Sequence, residues 1–141
     1  YETKIDLGII ISMNHPLQFK KDITLADIKE YPLILHTGAL SYLRQTQREL
    51  GLDPDFLDIS ITSNSQIFIK KILANNNQLI TLSLATINDP FSESLIFRSI
   101  QNTTTQNTKI GIISRKSKFF NKSESFFNEL LIKEFQQFNK I

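Results

Sequence analysis

Tyr31-Pro32-Leu33-Ile34-Leu35-His36-Thr37-Gly38 is the stretch on which the fold reading turns. The residue before a proline avoids helical dihedrals, so a helix arriving from upstream must stop at Tyr31. Leu33-Ile34-Leu35 is then a short uninterrupted apolar run, the pattern of a strand covered on both faces. Thr37-Gly38 reads as the turn that follows. A doubly covered strand needs helices on either side of it, and the flanking sequence supplies them. Upstream, Thr24-x-x-Asp27 is a capping-box variant that opens a short helix with Leu25 and Ile28 on one face. Downstream, Ser41 is a candidate N-cap for a helix running to Leu50, with Gly51 placed to supply the left-handed residue at its end.

The alternation of strand and helix signals continues in both directions, which argues for an α/β architecture. Leu57, Ile59 and Ile61 alternate with Asp58, Ser60 and Thr62, as a half-buried strand does. Ser63, Asn64 and Ser65 are cap residues ahead of a helix carrying Phe68, Ile69, Ile72 and Leu73 and ending at Asn75-Asn76-Asn77. Leu79 to Leu84 and Leu95 to Ile100 read as strands separated by an Asn88-Asp89-Pro90 turn, and Gln101 to Thr108 as a polar connection. Ile5 to Ile11 opens the chain as a strand and Lys109 to Ser114 adds another. Asn121 with Glu124 makes a second capping box before a terminal helix. Its face runs through Phe127, Leu130, Leu131, Glu134 and Phe138, widened by Phe126 and Phe135. The plain reading is a core helix of the same domain; the other is an interface with something outside the chain.

Composition narrows the function classes. At 141 residues, 40% hydrophobic and 21% charged, the chain reads as one globular domain able to bury about two thirds of its unfolded surface. It has no cysteine, which excludes disulfides, thiol nucleophiles and cysteine zinc sites and suits a cytoplasmic setting. The longest apolar run, Leu7 to Ile11, is too short to span a membrane. Sixteen basic and 14 acidic residues give a net charge of +2, and they form no stripe that would favour nucleic acid. Lys20-Lys21 and Arg115-Lys116 with Lys118 read as ordinary solvated surface.

The order of segments resembles the effector-binding domain of LysR-type transcriptional regulators. Asn14-His15-Pro16-Leu17 looks like the family's strand ending in His-Pro-Leu. Leu25-Ala26-Asp27-Ile28 looks like its Leu-x-Asp-Leu turn, and Pro32-Leu33-Ile34 like the strand after it. Asp53-Pro54-Asp55-Phe56, the serine-rich Thr62 to Ser65 segment and the junction Leu73 to Ser83 continue the series. That junction usually carries two glycines and a proline, where this chain has Asn76, Gln78 and Ser83. The resemblance implies a periplasmic-binding-protein type II-like α/β fold, represented here mainly by its second lobe, about residues 13–100. Residues 1–12 and 101–141 would be crossover strands and the C-terminal helix of the first lobe. The family's winged helix-turn-helix for DNA and the opening half of its first lobe are expected outside this sequence. The resemblance also implies a homo-oligomer, with the Ser41 to Leu50 helix and the Leu57 to Thr62 strand at the subunit contact.

Ligands of open α/β sheets sit at the carboxyl ends of the strands, facing helix N-termini. Two strand-to-helix junctions here are polar: Thr37, Gly38 and Ser41 form one, and Thr62, Ser63, Asn64 and Ser65 the other. Hydroxyls and free N–H groups at a helix start favour an anion by about 0.3 to 1 kcal/mol, so an organic acid or amino-acid-like metabolite is the expected effector. The same residues also serve as plain helix caps, and the two roles are compatible. Catalysis has little to stand on. The two histidines, His15 and His36, come without a Gly-x-Ser-x-Gly elbow, a phosphate-binding glycine loop or a His-Glu-x-x-His helix. His15 looks like a structural turn residue, and His36 sits at a strand end beside the expected pocket. No cofactor or metal is expected. The competing readings are a solute-binding protein or a small enzyme on a related two-lobed fold.

Overall fold

A computed structural model of the chain describes residues 2–4, 7–83, 93–101, 109–113 and 119–138. They fall into two compact units, one spanning Asp6–Gln106 and the other Tyr1–Ile5 with Asn107–Ile141.

The larger unit is built on a five-stranded mixed sheet. Its strands are β2 (Gly8–Ser12), β3 (Leu33–His36), β4 (Ile59–Ser63), β5 (Ile80–Ser83) and β6 (Leu95–Ser99), in the spatial order β4-β3-β5-β2-β6. β3 runs parallel to both β4 and β5, whereas β2 is antiparallel to β5 and β6. Three helices complete the unit: α1 (Leu25–Ile28), α2 (Thr37–Leu50) and α3 (Gln66–Ala74). Neighbouring side chains on a strand point to opposite faces, so the run Leu33-Ile34-Leu35 divides between two cores. Leu33 and Leu35 join Ile9, Ile11, Ile80 and Leu82 on the face covered by Ile28 of α1 and Leu43 of α2. Ile34 and Ile10 join Ile69 and Leu73 of α3 on the other. Leu33, Ile34 and Leu35 are all 0% exposed, which is the doubly covered strand their unbroken apolarity predicts. Each such side chain contributes about 1.5–3 kcal/mol by burial. β4 keeps its half-buried alternation at the sheet edge, with Ser60 and Thr62 exposed between partly buried Ile59, Ile61 and Ser63.

Local devices fix the connections. Asp27 accepts from both the backbone N–H of Thr24 at 2.8 Å and its hydroxyl at 2.9 Å, which secures the start of α1. Lys20 pairs with the same carboxylate, and that hydrogen bond is the main reason its pKa lies below the ordinary value. Gly51 closes α2 at φ 66°, the left-handed position expected of it. Asn76 stands where the family resemblance has a glycine; its Oδ1 accepts from Gln78 N–H at 2.8 Å and Leu79 N–H at 3.2 Å. A side-chain turn thus does there what glycine does through backbone freedom. Arg98 of β6 donates to the carbonyls of Leu17, Gln18, Lys20 and Lys21, pinning the 16–21 segment to the sheet.

His15 is the turn residue its sequence setting suggests. It caps the 3-10 turn Pro16–Phe19, with Nδ1 accepting from Leu17 N–H at 3.1 Å. The ring is 0% exposed and tilted against Tyr31 at 4.6 Å between centroids. Nε2 lies buried with no partner in hydrogen-bond geometry among the described residues. Burial therefore holds the pKa below the usual imidazole value, with the Gln78 backbone the smaller, opposing influence.

The smaller unit pairs β1 (Glu2–Lys4) with β7 (Lys109–Gly111) in antiparallel register and carries α4 (Lys122–Phe138). The second capping box is present as expected: Asn121 Oδ1 accepts from Glu124 N–H at 2.9 Å, and Glu124 Oε2 from Asn121 N–H at 3.1 Å. The reading of α4 as a core helix is corrected by the structure. Phe126 and Phe127 are each 64% exposed, because a wide apolar stripe reports what a helix could cover rather than what covers it. The Asn88-Asp89-Pro90 turn, the 102–108 connection and the basic Arg115-Lys116-Lys118 spot lie outside the described residues.

Candidate functional site

The parallel pairing of β3 with β4 and β5 sets three strand carboxyl ends along one edge of the sheet. His36, the last residue of β3, is opposite Ser63, the last of β4. α2 leaves directly from the first and α3, after Asn64 and Ser65, from the second. A cavity of about 290 Å³ opens there, near the lower end of the range for small-molecule sites. All of its lining belongs to the larger unit. One wall is the first turns of α2, with Gly38, Ala39, Tyr42 and Leu43; Gln66 opens α3 on another side. Thr81, Leu82 and Ser83 of β5, with Leu7 and Ile10 at β2, form the floor. Among the described residues the lining is largely apolar and contains no Asp, Glu, Lys or Arg.

Two polar groups give the cavity its chemistry. Thr81 is only 7% exposed, and its hydroxyl has no hydrogen-bond partner among the described residues. His36 is the N-cap of α2: its Nδ1 accepts from Gly38 N–H at 3.1 Å. Its Nε2 stands 3.1 Å from the Asn64 carbonyl. Since Nδ1 accepts, Nε2 carries the hydrogen and donates. One neutral imidazole therefore clips the start of α2 to the junction that leads into α3.

The expected site residues separate accordingly. Gly38 lines the cavity. Asn64 reaches it only through the His36 bond. Thr37 is not a turn but the first residue of α2, and Ser41, expected as N-cap, lies one turn inside the helix with its hydroxyl donating back to Thr37 O at 3.1 Å. The correction has a simple cause: an imidazole acceptor at His36 caps the helix five residues earlier than the serine would. Ser65 is the N-cap of α3, accepting from Phe68 N–H at 3.3 Å, while Ser63 Oγ accepts from Ser65 N–H at 3.1 Å. Thr62 is exposed on β4. None of Thr37, Ser41, Thr62, Ser63 or Ser65 is on the cavity wall. Sequence reasoning passed over Thr81, Ser83, Gln66 and Tyr42. Thr81 did leave a signal, being a polar residue inside the apolar run Leu79 to Leu84.

No protein-family model and no curated protein sequence matches this chain. Solved structures do. The C-terminal domain of a probable LysR family transcriptional regulator from Rhodococcus sp. RHA1 matches at TM-score 0.64 and 12% identity, over 94% of this chain and 67% of that one. The fold is that of a LysR effector-binding domain. The Synechocystis PCC6803 CcmR regulatory domain in complex with 2-PG follows at 0.61 and 14%, covering 94% and 65% of the two chains. The effector-binding domain of QuiR in complex with shikimate gives 0.59 and 14%, covering 96% and 63%. The chain spans 46% of the length of HinK, a LysR family regulator from Pseudomonas aeruginosa. Such domains have the periplasmic-binding-protein type II-like architecture. Among the described residues no helix is long and apolar enough to cross a membrane.

Proposed function

We propose that this chain is an effector-sensing domain of a LysR-type transcriptional regulator, and that the cavity at the carboxyl ends of β3 and β5 takes the effector. The single observation that carries the reading is that cavity, set at the strand ends where α2 and α3 begin, on a LysR effector-domain fold. Two structures of the same fold hold small polar molecules, shikimate and 2-PG, which supports a compact metabolite here. Its anionic group would meet the N-terminus of α2 and the Thr81 hydroxyl, since the described residues of the wall supply no fixed cation. Ligand binding would shift the arrangement of a homo-oligomer and thereby DNA binding by a regulator working in the cytoplasm. The size of that shift is bounded by the ligand's differential affinity for the two arrangements. Residues about 13–100 would form the sensing lobe.

A thermal-shift screen of organic acids tests the reading. A ligand at 100 times its dissociation constant stabilises by about 2.7 kcal/mol, and Thr81→Val should remove the shift while leaving the unliganded midpoint within a few degrees. A ligand whose stabilisation survives Thr81→Val and Gly38→Val together does not occupy this cavity. Gly38→Val sets a side chain where a Cβ already meets His36 Nδ1 at 3.2 Å.

A further inference from the structure

We propose that anion binding in this cavity is coupled to uptake of one proton by His36, so that the imidazole is the residue that selects a ligand's charge. The inference rests on the cavity being the effector site. In the structure Nδ1 is an acceptor and holds the Gly38 N–H, a backbone donor in the first turn of α2 that lines the cavity. A neutral His36 thus offers a ligand anion a lone pair and withholds a donor. Protonation of Nδ1 reverses both effects. The lone pair takes the proton from solvent, the Gly38 N–H loses its acceptor and is released, and Nδ1–H becomes a second donor beside it. A carboxylate oxygen entering between them then accepts from both, next to a full positive charge. The Nε2–H bond to Asn64 O is unchanged by this step, because Nε2 donates in either state. The ring stays anchored to the α3 junction while its other nitrogen changes role.

Two observations point to a ligand rather than to a cap alone. The Thr81 hydroxyl, on a residue 7% exposed and lining the same cavity, stands without a hydrogen-bond partner among the described residues. Among the described residues the wall around His36 also lacks any group that would otherwise neutralise an anion. From β3, β5, α2, α3 and the β2 edge, the titratable lining groups are His36 and Tyr42. The first charged residue of α2 is Arg44, exposed, and that of α3 is Lys70; neither lines the cavity. On β4, Ser60 and Thr62 are exposed and Ser63 bonds to Ser65 N–H.

The test uses the full chain with cyclohexanecarboxylate, a compact monoanion with an apolar body, and cyclohexanecarboxamide, its neutral counterpart. Titration calorimetry in two buffers of different ionisation enthalpy should show uptake of about one proton per carboxylate and none per amide above neutral pH. The carboxylate Kd should weaken as the pH is raised, by at most about tenfold per pH unit, and His36→Asn should flatten that slope. Long-range nitrogen NMR of the His36 ring, which needs no variant, should show Nδ1 bare in the free protein and protonated in the carboxylate complex. Carboxylate binding without proton uptake, binding of the amide alone, or a slope that persists in His36→Asn would overturn the coupling and leave the cavity as an effector site. If neither probe at about ten millimolar moves the Gly38, Thr81 and Ser83 amide signals, the cavity itself is refuted.

Discussion

Replacing Gly8 by alanine sets two effects of opposite sign against each other. Gly8 sits in β2 between Ser83 of β5 and Ser99 of β6, at a φ outside the left-handed region. Alanine is free to adopt that backbone, and restricting the unfolded chain would favour the fold by about 0.4–1 kcal/mol. Against this, a Cβ at position 8 would lie 2.3 Å from Phe97 Cζ, 2.5 Å from Phe97 Cε2 and 2.6 Å from the Arg98 carbonyl oxygen. The ring can swing aside. The carbonyl cannot, because it belongs to the adjacent strand of the ladder, so β2 and β6 must separate locally. Overpacking of this kind costs about 1–3 kcal/mol, and the lost ladder hydrogen bonds add about 1 kcal/mol each. The cost outweighs the entropy gain, and net destabilisation of about 2 kcal/mol is expected. At about 4 °C per kcal/mol for a chain of this size, the unfolding midpoint should fall by roughly 8 °C. Urea unfolding followed by circular dichroism measures it, with the slope m unchanged if only native packing is affected. Phe97→Ala separates the two contacts: in that background Gly8→Ala should cost less but still be destabilising, since the Arg98 oxygen remains. A Gly8→Ala chain as stable as the parent would refute the reasoning.

Two further predictions concern the 15–21 segment. Arg98→Ala leaves four backbone carbonyls of residues 17–21 without their shared donor, so hydrogen exchange in Leu17 to Lys21 should accelerate at least tenfold. Unchanged exchange there would show that the guanidinium is dispensable. His15, whose folded pKa is depressed by burial, takes up a proton in the unfolded chain before it does in the folded one. Stability should hold above pH about 6.5 and decline below it, by no more than about 1.4 kcal/mol per pH unit. His15→Asn keeps an acceptor for Leu17 N–H and should remove that part of the decline; an identical pH profile would sink the assignment.

Much of the fold was legible because its signals are local. The unbroken Leu33-Ile34-Leu35, the alternation from Ile59 to Ile61, the Thr24–Asp27 and Asn121–Glu124 boxes and Gly51 each state their structure within a few residues. The site was less legible for two physical reasons. His36 caps α2 through Nδ1, outside the usual set of capping side chains, so the sequence points to Ser41 as the helix start and to a turn at Thr37-Gly38. Thr81 and Ser83 come to the cavity because β5 lies between β3 and β2, a choice of strand neighbours that no local pattern announces. The α4 stripe shows the converse. Its amphipathic period is plain in sequence, yet Phe126 and Phe127 stay exposed, since periodicity is a property of the helix and burial is a property of its surroundings.

The interior place of β2, between β5 and β6, carries a cost in time. Ile11 pairs with Ile80, and Ile9 with Arg98, so once synthesised an almost wholly apolar strand waits some seventy to ninety residues for both partners. At about 5–20 residues per second, Ile9-Ile10-Ile11 spends several seconds on the ribosome as a bare, pairing-competent edge without a charge or proline to guard it. Expression at lower temperature or with chaperones that hold nascent apolar segments should therefore raise the yield of folded chain, and a charge placed at exposed Met13 is the natural gatekeeper to add.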